Sequence, residues 1–358
     1  MFTLKDKELS KKIIQQIKQQ DVSLTFMHVC GTHQDSLMKH GLDSLLKKAG
    51  ITIIQGPGCP VCVTTPREIE EMILLAKKGY IIASYGDMIN VPGQNYSLRY
   101  LRTEGYDIRT VYSIEDAVSL AKNHPDKQVV FMAVGFETTA PSTAAVLLNN
   151  PPENFSILCC HRLIPPALKA IVEMGEIKID GFIEPGHVAT IIGVEPFSFL
   201  SDKHKIPQVI TGFEPVDLLM ASWMLVKQIQ NNDPIIQNEY HRAVSFEGNT
   251  TAQKLLQKVF EIEDKPWRGF SSIPSSGYSL RSHFEMFDAR KKYADELADL
   301  NNLTFDEPAS CRCGELLRGL ISPKDCPLFG KRCTPAHPVG PCMVSDEGSC
   351  HITFKYSK

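Results

Sequence analysis

The chain has 358 residues, of which 43% are hydrophobic and 22% charged, with a formal net charge of -3 and a pI near 6.4. That length predicts two or three domains able to bury apolar cores, and the charge gives no case for a nucleic-acid binder, which carries a basic domain or stripe. The polar start MFTLKDKELSKK is not a secretory leader and no apolar run approaches the ~20 residues of a membrane helix, so a cytoplasmic protein is expected, in which eleven cysteines speak for metal or redox chemistry.

Taken in chain order, short runs rich in Val, Ile and Phe predict strands at Leu24–Val29, Ile51–Ile54, Tyr80–Ala83, Val129–Val134, Phe155–Leu158, Gly181–Ile183 and Gln208–Ile210. Amphipathic helices are expected between them. From Thr65 to Lys78, Thr65 and Pro66 suit an N-cap and first turn, Glu68 completes a capping box, and Ile69, Met72, Ile73 and Ala76 form the apolar face. From Ser113 to Lys122, Glu115 and Asp116 sit where the helix dipole favours anions. This alternation predicts an α/β protein with mostly parallel sheets. Asn231 to Gln237 reads as a loop, DKPWRGFSSIPSSG at 264–277 as a linker, and 278–300 as an exposed helix with Leu280, Phe284, Phe287 and Ala294 on one side. After Phe305 the composition is that of a small domain built around a metal.

Chemistry-bearing residues follow the strands: CGTH at 30–33, GPGCPVC at 56–62, YGD at 85–87, GFETTAP at 135–141, CCHR at 159–162, EPGH at 184–187 and GFEP at 212–215. Ligands of open α/β sheets bind at the carboxyl ends of strands. The repeated GFE, at Gly135 and Gly212, hints at two related halves. Glu137, Glu184, Glu214 and Asp87 are candidates to orient ligands or move protons, against the commoner fate of surface carboxylates; His161 and His187 are candidates against the commoner fate of satisfied core histidines.

The tail reads C-x-C-x12-C-x6-C-x8-C-x7-C through Cys311, Cys313, Cys326, Cys333, Cys342 and Cys350. It lacks paired C-x2-C knuckles and exceeds the four thiolates that one zinc or one 4Fe-4S centre takes, leaving an iron–sulfur cluster, structural zinc, or disulfides or unliganded thiols as readings. Near the start, Cys59-Pro-Val-Cys62 is a C-x-x-C before a helix, a redox-active dithiol or two turn thiols. Cys30, with His33 close by, is a nucleophile, a metal ligand or neither. Three thiolates and an imidazole at one sheet edge would suit iron, copper or zinc. Cys159 and Cys160 are adjacent, so core packing is expected of at least one. Neither G-x-x-x-x-G-K-[ST] nor G-x-G-x-x-G occurs, so a standard nucleotide site is unsupported.

In this order, MHVCGTH, GPGCPVC, GFETTAP, CCHRLIPPAL, EPGHVATIIG and GFEP, followed by CRCG, CPLFGKRCTP and GPCMVSDEGSC, resemble the HypD family of hydrogenase maturation proteins over essentially the whole chain. The resemblance implies two Rossmann-like α/β domains of similar topology, placed here at 1–122 and 123–270 with about 207–270 available to pack back on the first, and a C-terminal iron–sulfur domain at 271–358. It implies a scaffold that assembles the Fe(CN)2CO unit of NiFe hydrogenases with HypC, receives cyanide through HypE and HypF upstream, and serves the hydrogenase large subunit through HypC. Cys30 would help hold that iron, Cys59 and Cys62 would be the redox pair beside it, and four of the six tail cysteines would hold a 4Fe-4S cluster. His33, His161, His187 and Glu137 would steer ligands and protons. Many relatives carry Glu after CGTH where this chain has Gln34, which removes any acid–base role there. A cluster-fed thiol–disulfide reductase and a structural protein with a zinc-bound tail are the competing readings.

Overall fold

The computed structural model describes residues 6–356. In chain order its strands are β1 (Leu24–His28), β2 (Ile51–Gln55), β3 (Ile81–Ser84), β4 (Ile108–Thr110), β5 (Val129–Gly135), β6 (Phe155–His161), β7 (Gly181–Pro185), β8 (Gln208–Thr211), β9 (Ile236–Asn238), β10 (Phe260–Pro266) and β11 (Ser272–Leu280). They build a five-stranded parallel sheet in the order β2-β1-β7-β8-β9, a four-stranded parallel sheet in the order β4-β3-β5-β6, and an antiparallel β10-β11 hairpin. The expected α/β architecture with parallel sheets and a cysteine-rich C-terminal region is what the chain forms.

Strand pairing does not divide where the domain boundary was placed. β3 and β4 pair into the sheet of β5 and β6, with Ile81 opposite Val129, so residue 122/123 falls inside the second sheet. The chain returns to the first sheet already at β7, where Phe182 and Ile183 lie opposite Met27 and His28. The physical reason is that parallel neighbours need crossovers, not contiguity: β1 has a second edge, and apolar β7 fills it.

The apolar runs are continuous because both faces of these strands are buried. On β5, Val130, Met132 and Val134 face a core shared by both sheets and the tail, while Val129, Phe131 and Ala133 face a second core. Each of the Val, Met and Phe side chains among them contributes roughly 1.5–3 kcal/mol of burial. The same period of two explains the cysteine pair: Cys159 enters one core and Cys160 the other. Both expected capped helices form, over Pro66–Lys77 with the Thr65–Glu68 capping box and over Ile114–Asn123 with a Ser113–Asp116 box.

Two readings are corrected. Residues 264–277 are not a linker: they hold the end of β10 and most of β11, with Ile273 and Ser276 buried. Nor do residues 278–300 form one exposed helix. They continue β11 to Leu280, then break into short turns at Ser282–Phe287, Ala289–Lys292, Ala294–Leu297 and Ala298–Leu300. Leu280, Phe284 and Phe287 are spaced as on a helix, yet they enter the core through a strand end and a tight turn. The loop expected at Asn231–Gln237 gives way to β9 at Ile236.

One buried ion network ties these parts together. Arg162, after β6, pairs with Glu68 at 2.8 Å, and Arg290 reaches both Glu68 (3.4 Å) and Glu71 (2.9 Å). Burial alone would raise the Glu68 pKa, but Arg162 and Arg290 overcome it and hold the carboxyl near 2. Glu68→Gln leaves the buried Arg162 guanidinium without an anion, while Arg290 keeps Glu71, and should cost about 3–5 kcal/mol in urea denaturation. Because the folded pKa is depressed from 4.5 to about 2, the Glu68 contribution is complete above pH 4.5 and lost as pH falls towards 2. Denaturation midpoints should therefore fall across that window in the native protein, and the Gln variant should lose this component of the slope.

Candidate redox and iron site

β1 ends at His28, and Cys30, in extended conformation (φ -149°, ψ 127°), is the N-cap of the helix Gly31–Lys39. β2 ends at Gln55, and Gly56-Pro57-Gly58 turns the chain so that Cys59 caps the one-turn helix Pro60–Val63. Because β1 and β2 are parallel neighbours, both turns emerge at one sheet edge. They are locked by backbone contact: Gly31 N–H donates to Gly58 O at 3.2 Å and Gly56 N–H to His28 O at 2.8 Å. A Cβ on Gly58 would collide with the amide nitrogen of Cys30. Cys59 and Cys62 form a disulfide (Cα–Cα 5.2 Å), and the Cys59 sulfur accepts the Cys62 N–H at 3.1 Å. In this state neither is a thiolate, so a ligand role for either requires reduction.

Burial, reinforced by the Glu347 carboxylate, pushes the Cys30 thiol up to about 11, against the local amides of His33 and Thr32. The two imidazoles around it are held neutral by burial. The Cys30 amide donates to His28 Nδ1 (3.5 Å), so Nε2 carries the proton and donates to Gln34 Oε1 at 2.8 Å. Burial lowers His28 to about 4. Gln34 is thus a neutral acceptor for a neutral imidazole. His33 Nε2 meets Gly212 O at 3.0 Å; a carbonyl only accepts, so the proton sits on Nε2. That leaves His33 Nδ1 as a buried acceptor with no partner among the described residues.

His187 stacks on Phe213 at 3.8 Å, and Phe213 packs on His33 at 4.9 Å, so the CGTH, EPGH and GFEP motifs meet. His161 instead ends β6, and Glu137 follows β5, in the other sheet. His161 Nε2 bonds Thr143 Oγ1 at 3.0 Å, and Glu137 accepts the Ile164 N–H at 2.9 Å, fixing the start of the helix Ile164–Met174. Glu214 shares a capping box with Asp217. Glu184 is different: both oxygens are buried with no partner among the described residues, and burial raises its pKa to about 8.

The tail closes over this edge. Glu347 packs against Gly31, where any Cβ would strike it, Asp346 N–H donates to Asp87 Oδ2 at 3.1 Å, and Tyr356 donates to Asp35 at 2.9 Å. The short helix Pro341–Val344, which carries Cys342, packs on Pro60–Val63. Motif reading missed Glu347, because its partner Gly31 lies at the opposite end of the chain and no local pattern links them.

Within the tail, Cys311, Cys313, Cys326, Cys333 and Cys350 line one cavity, and the free thiol of Cys342 lies next to that of Cys313. Gly340 forms a cradle: a Cβ there would sit 2.8 Å from the sulfurs of both Cys311 and Cys313. Val339 N–H donates to the Cys333 sulfur at 3.3 Å. A soft all-thiol donor set lined by a glycine and backbone amides has the chemistry of an iron–sulfur or zinc cage. Among the described residues no set of three or more ligating side chains is already drawn together to metal-binding geometry.

Comparison with known proteins agrees with the motifs. The HypD family model, described as "Hydrogenase formation hypA family", matches residues 6–357. A putative hydrogenase expression/formation protein of Methanocaldococcus jannaschii is 46% identical over 364 residues, covering 100% of both chains. The hydrogenase maturation factor HypD2 of Bradyrhizobium diazoefficiens is 42% identical over 345 residues (93% of this chain, 89% of the relative). HypD of Cupriavidus necator is 38% identical over 369 residues (99% and 96%). With these motifs brought to one sheet edge and this similarity along its length, the chain belongs to the HypD family and is a hydrogenase maturation factor.

Proposed function

We propose that this chain is the scaffold on which the Fe(CN)2CO unit of NiFe hydrogenases is assembled, and that it is not a free-standing turnover enzyme. HypC is the stable partner that completes the iron site, HypE delivers cyanide with HypF upstream, and the hydrogenase large subunit receives the product through HypC. The setting is the cytoplasm, without nucleic acid or membrane; among the described residues no helix is long and apolar enough to cross a bilayer.

The observation that carries the reading is the convergence of three thiol systems: Cys30 lies against the turn of Cys59 and Cys62 through Gly31 and Gly58, and the cysteine-rich tail seats on both. The iron is cargo here. Cys30 is protonated at neutral pH, so Fe(II) would displace its proton, and the buried cation would relieve the desolvation that holds the thiol up. The free lone pair of His33 Nδ1, three residues on, is a further donor atom open to a metal rather than to a proton, because burial lowers the ring to about 3. Reduction of the Cys59–Cys62 disulfide consumes two electrons and two protons and yields two thiols able to join the iron. Four of the tail thiols would hold a 4Fe-4S cluster, which when bound supplies those electrons one at a time.

Anaerobically purified protein co-expressed with HypC should show CO and CN stretching bands in the infrared. If only cluster iron is ever found, the scaffold reading fails and a cluster-fed thiol–disulfide reductase takes its place. Cys30→Ala should abolish those bands and hydrogenase maturation while leaving the cluster's visible spectrum unchanged. Gly340→Ala intrudes on Cys311 and Cys313, and should do the reverse by lowering iron and labile sulfide in the isolated protein.

A further inference from the structure

Residues 267–269 join three parts of the molecule. Trp267 is buried with its ring stacked on Phe136 at 6.0 Å, and its Nε1–H donates to Ser276 Oγ at 2.9 Å. Gly269, at φ +80°, lies directly against Gly314, the neighbour of Cys313. Between them Arg268 is only 3% exposed. Its backbone N–H donates to Val63 O at 2.9 Å and its Nε–H to Thr64 O at 2.8 Å, gripping the end of the turn that carries the disulfide. Nη1 pairs with Glu307, on the segment leading into the tail. Nη2 is buried and has no partner among the described residues.

A cation in this position is costly, because a buried charged donor left unbonded forfeits its hydration. Glu307 neutralises it only in part, since that carboxylate is 34% exposed and screened. Because Gly269 touches Gly314, Arg268 sits one residue from the backbone contact that leads directly into Cys313. Loading a metal onto tail thiols releases their protons and leaves a thiolate cage that is net negative. The unsatisfied donor and the missing counter-charge are therefore complementary.

We propose that Arg268 is a positioning residue for an anionic thiolate-ligated metal centre in the tail, using its free Nη2–H donors and its charge to hold the negative charge of that centre against the disulfide-bearing turn. The inference rests on reading the tail as a metal site, but not on which metal it takes.

The test uses the reduced full chain with zinc alone as the probe, its affinity measured by competition with a chromophoric chelator. Arg268→Gln should weaken zinc binding about tenfold, the size of one charge-assisted hydrogen bond. Arg268→Lys should retain affinity within about threefold of the native chain, because the charge persists. Glu307→Gln, which removes the competing anion, should tighten binding, a gain that misfolding cannot mimic. In anaerobically reconstituted protein, Arg268→Gln should also make the tail cluster harder to reduce, and Arg268→Lys should not. Native affinity in Arg268→Gln, equal losses in the Gln and Lys variants, or no tightening in Glu307→Gln would overturn the proposal. Zinc affinity that depends on Arg268 in a chain that never assembles a cluster would sink the scaffold's electron supply and leave this inference standing. A cluster indifferent to Arg268 would do the opposite.

Discussion

The site depends on one close approach, the backbone of the GPGC turn lying on the amide of Cys30. Only glycine permits it: a side-chain carbon at Gly58 would occupy the space of the Cys30 nitrogen. The hydrogen bond from Gly31 to Gly58 then holds the two turns in register. Parallel pairing of β1 and β2 brings their carboxyl ends together, but it is the missing side chain that narrows the gap to bonding distance. Every thiol assigned to chemistry is placed relative to that contact, and the tail takes it as its docking surface through Gly31 and Glu347.

The electrostatics around Cys30 follow from enclosure. Burial takes a thiol, two imidazoles and a carboxyl out of solvent, and each responds by favouring its uncharged form. Gln34 keeps this consistent, because an amide partner for His28 adds no charge to the pocket. A cation arriving there meets a thiol that must surrender a firmly held proton, and imidazoles that are already neutral.

Much of this was legible beforehand where local pattern decides structure. The Val- and Ile-rich runs mark seven of the strands to within three residues, though not the short edge strands β4 and β9; the Thr65 capping box forms, and the strand-end motifs sit at strand ends. The β10–β11 hairpin was not legible, because Ser, Pro and Gly dominate 271–277 and its burial comes from scattered Ile273, Tyr278 and Leu280. Leu280, Phe284 and Phe287 mimicked a helix because spacings of four and three also arise when a strand end meets a tight turn. Of the strand-end glutamates, Glu137 and Glu214 bond helix starts and Glu184 bonds nothing described, a distinction set by tertiary neighbours alone. Arg268 and Glu347 were invisible for the same reason: their partners lie far away in the chain.

The order of the strands has a consequence for how the protein is made. Its first sheet begins with β1 and β2 but receives β7, β8 and β9 only after the whole second sheet has been synthesised. As the chain leaves the ribosome, β3 to β6 can close first as a contiguous unit, while β1 keeps an open edge and the turns of Cys30 and Cys59 lack their cover. The last residues to emerge include those that seal them. Newly made chains thus pass through an interval in which these thiols face solvent, and in which reductants or a partner protein can reach them before the tail seats.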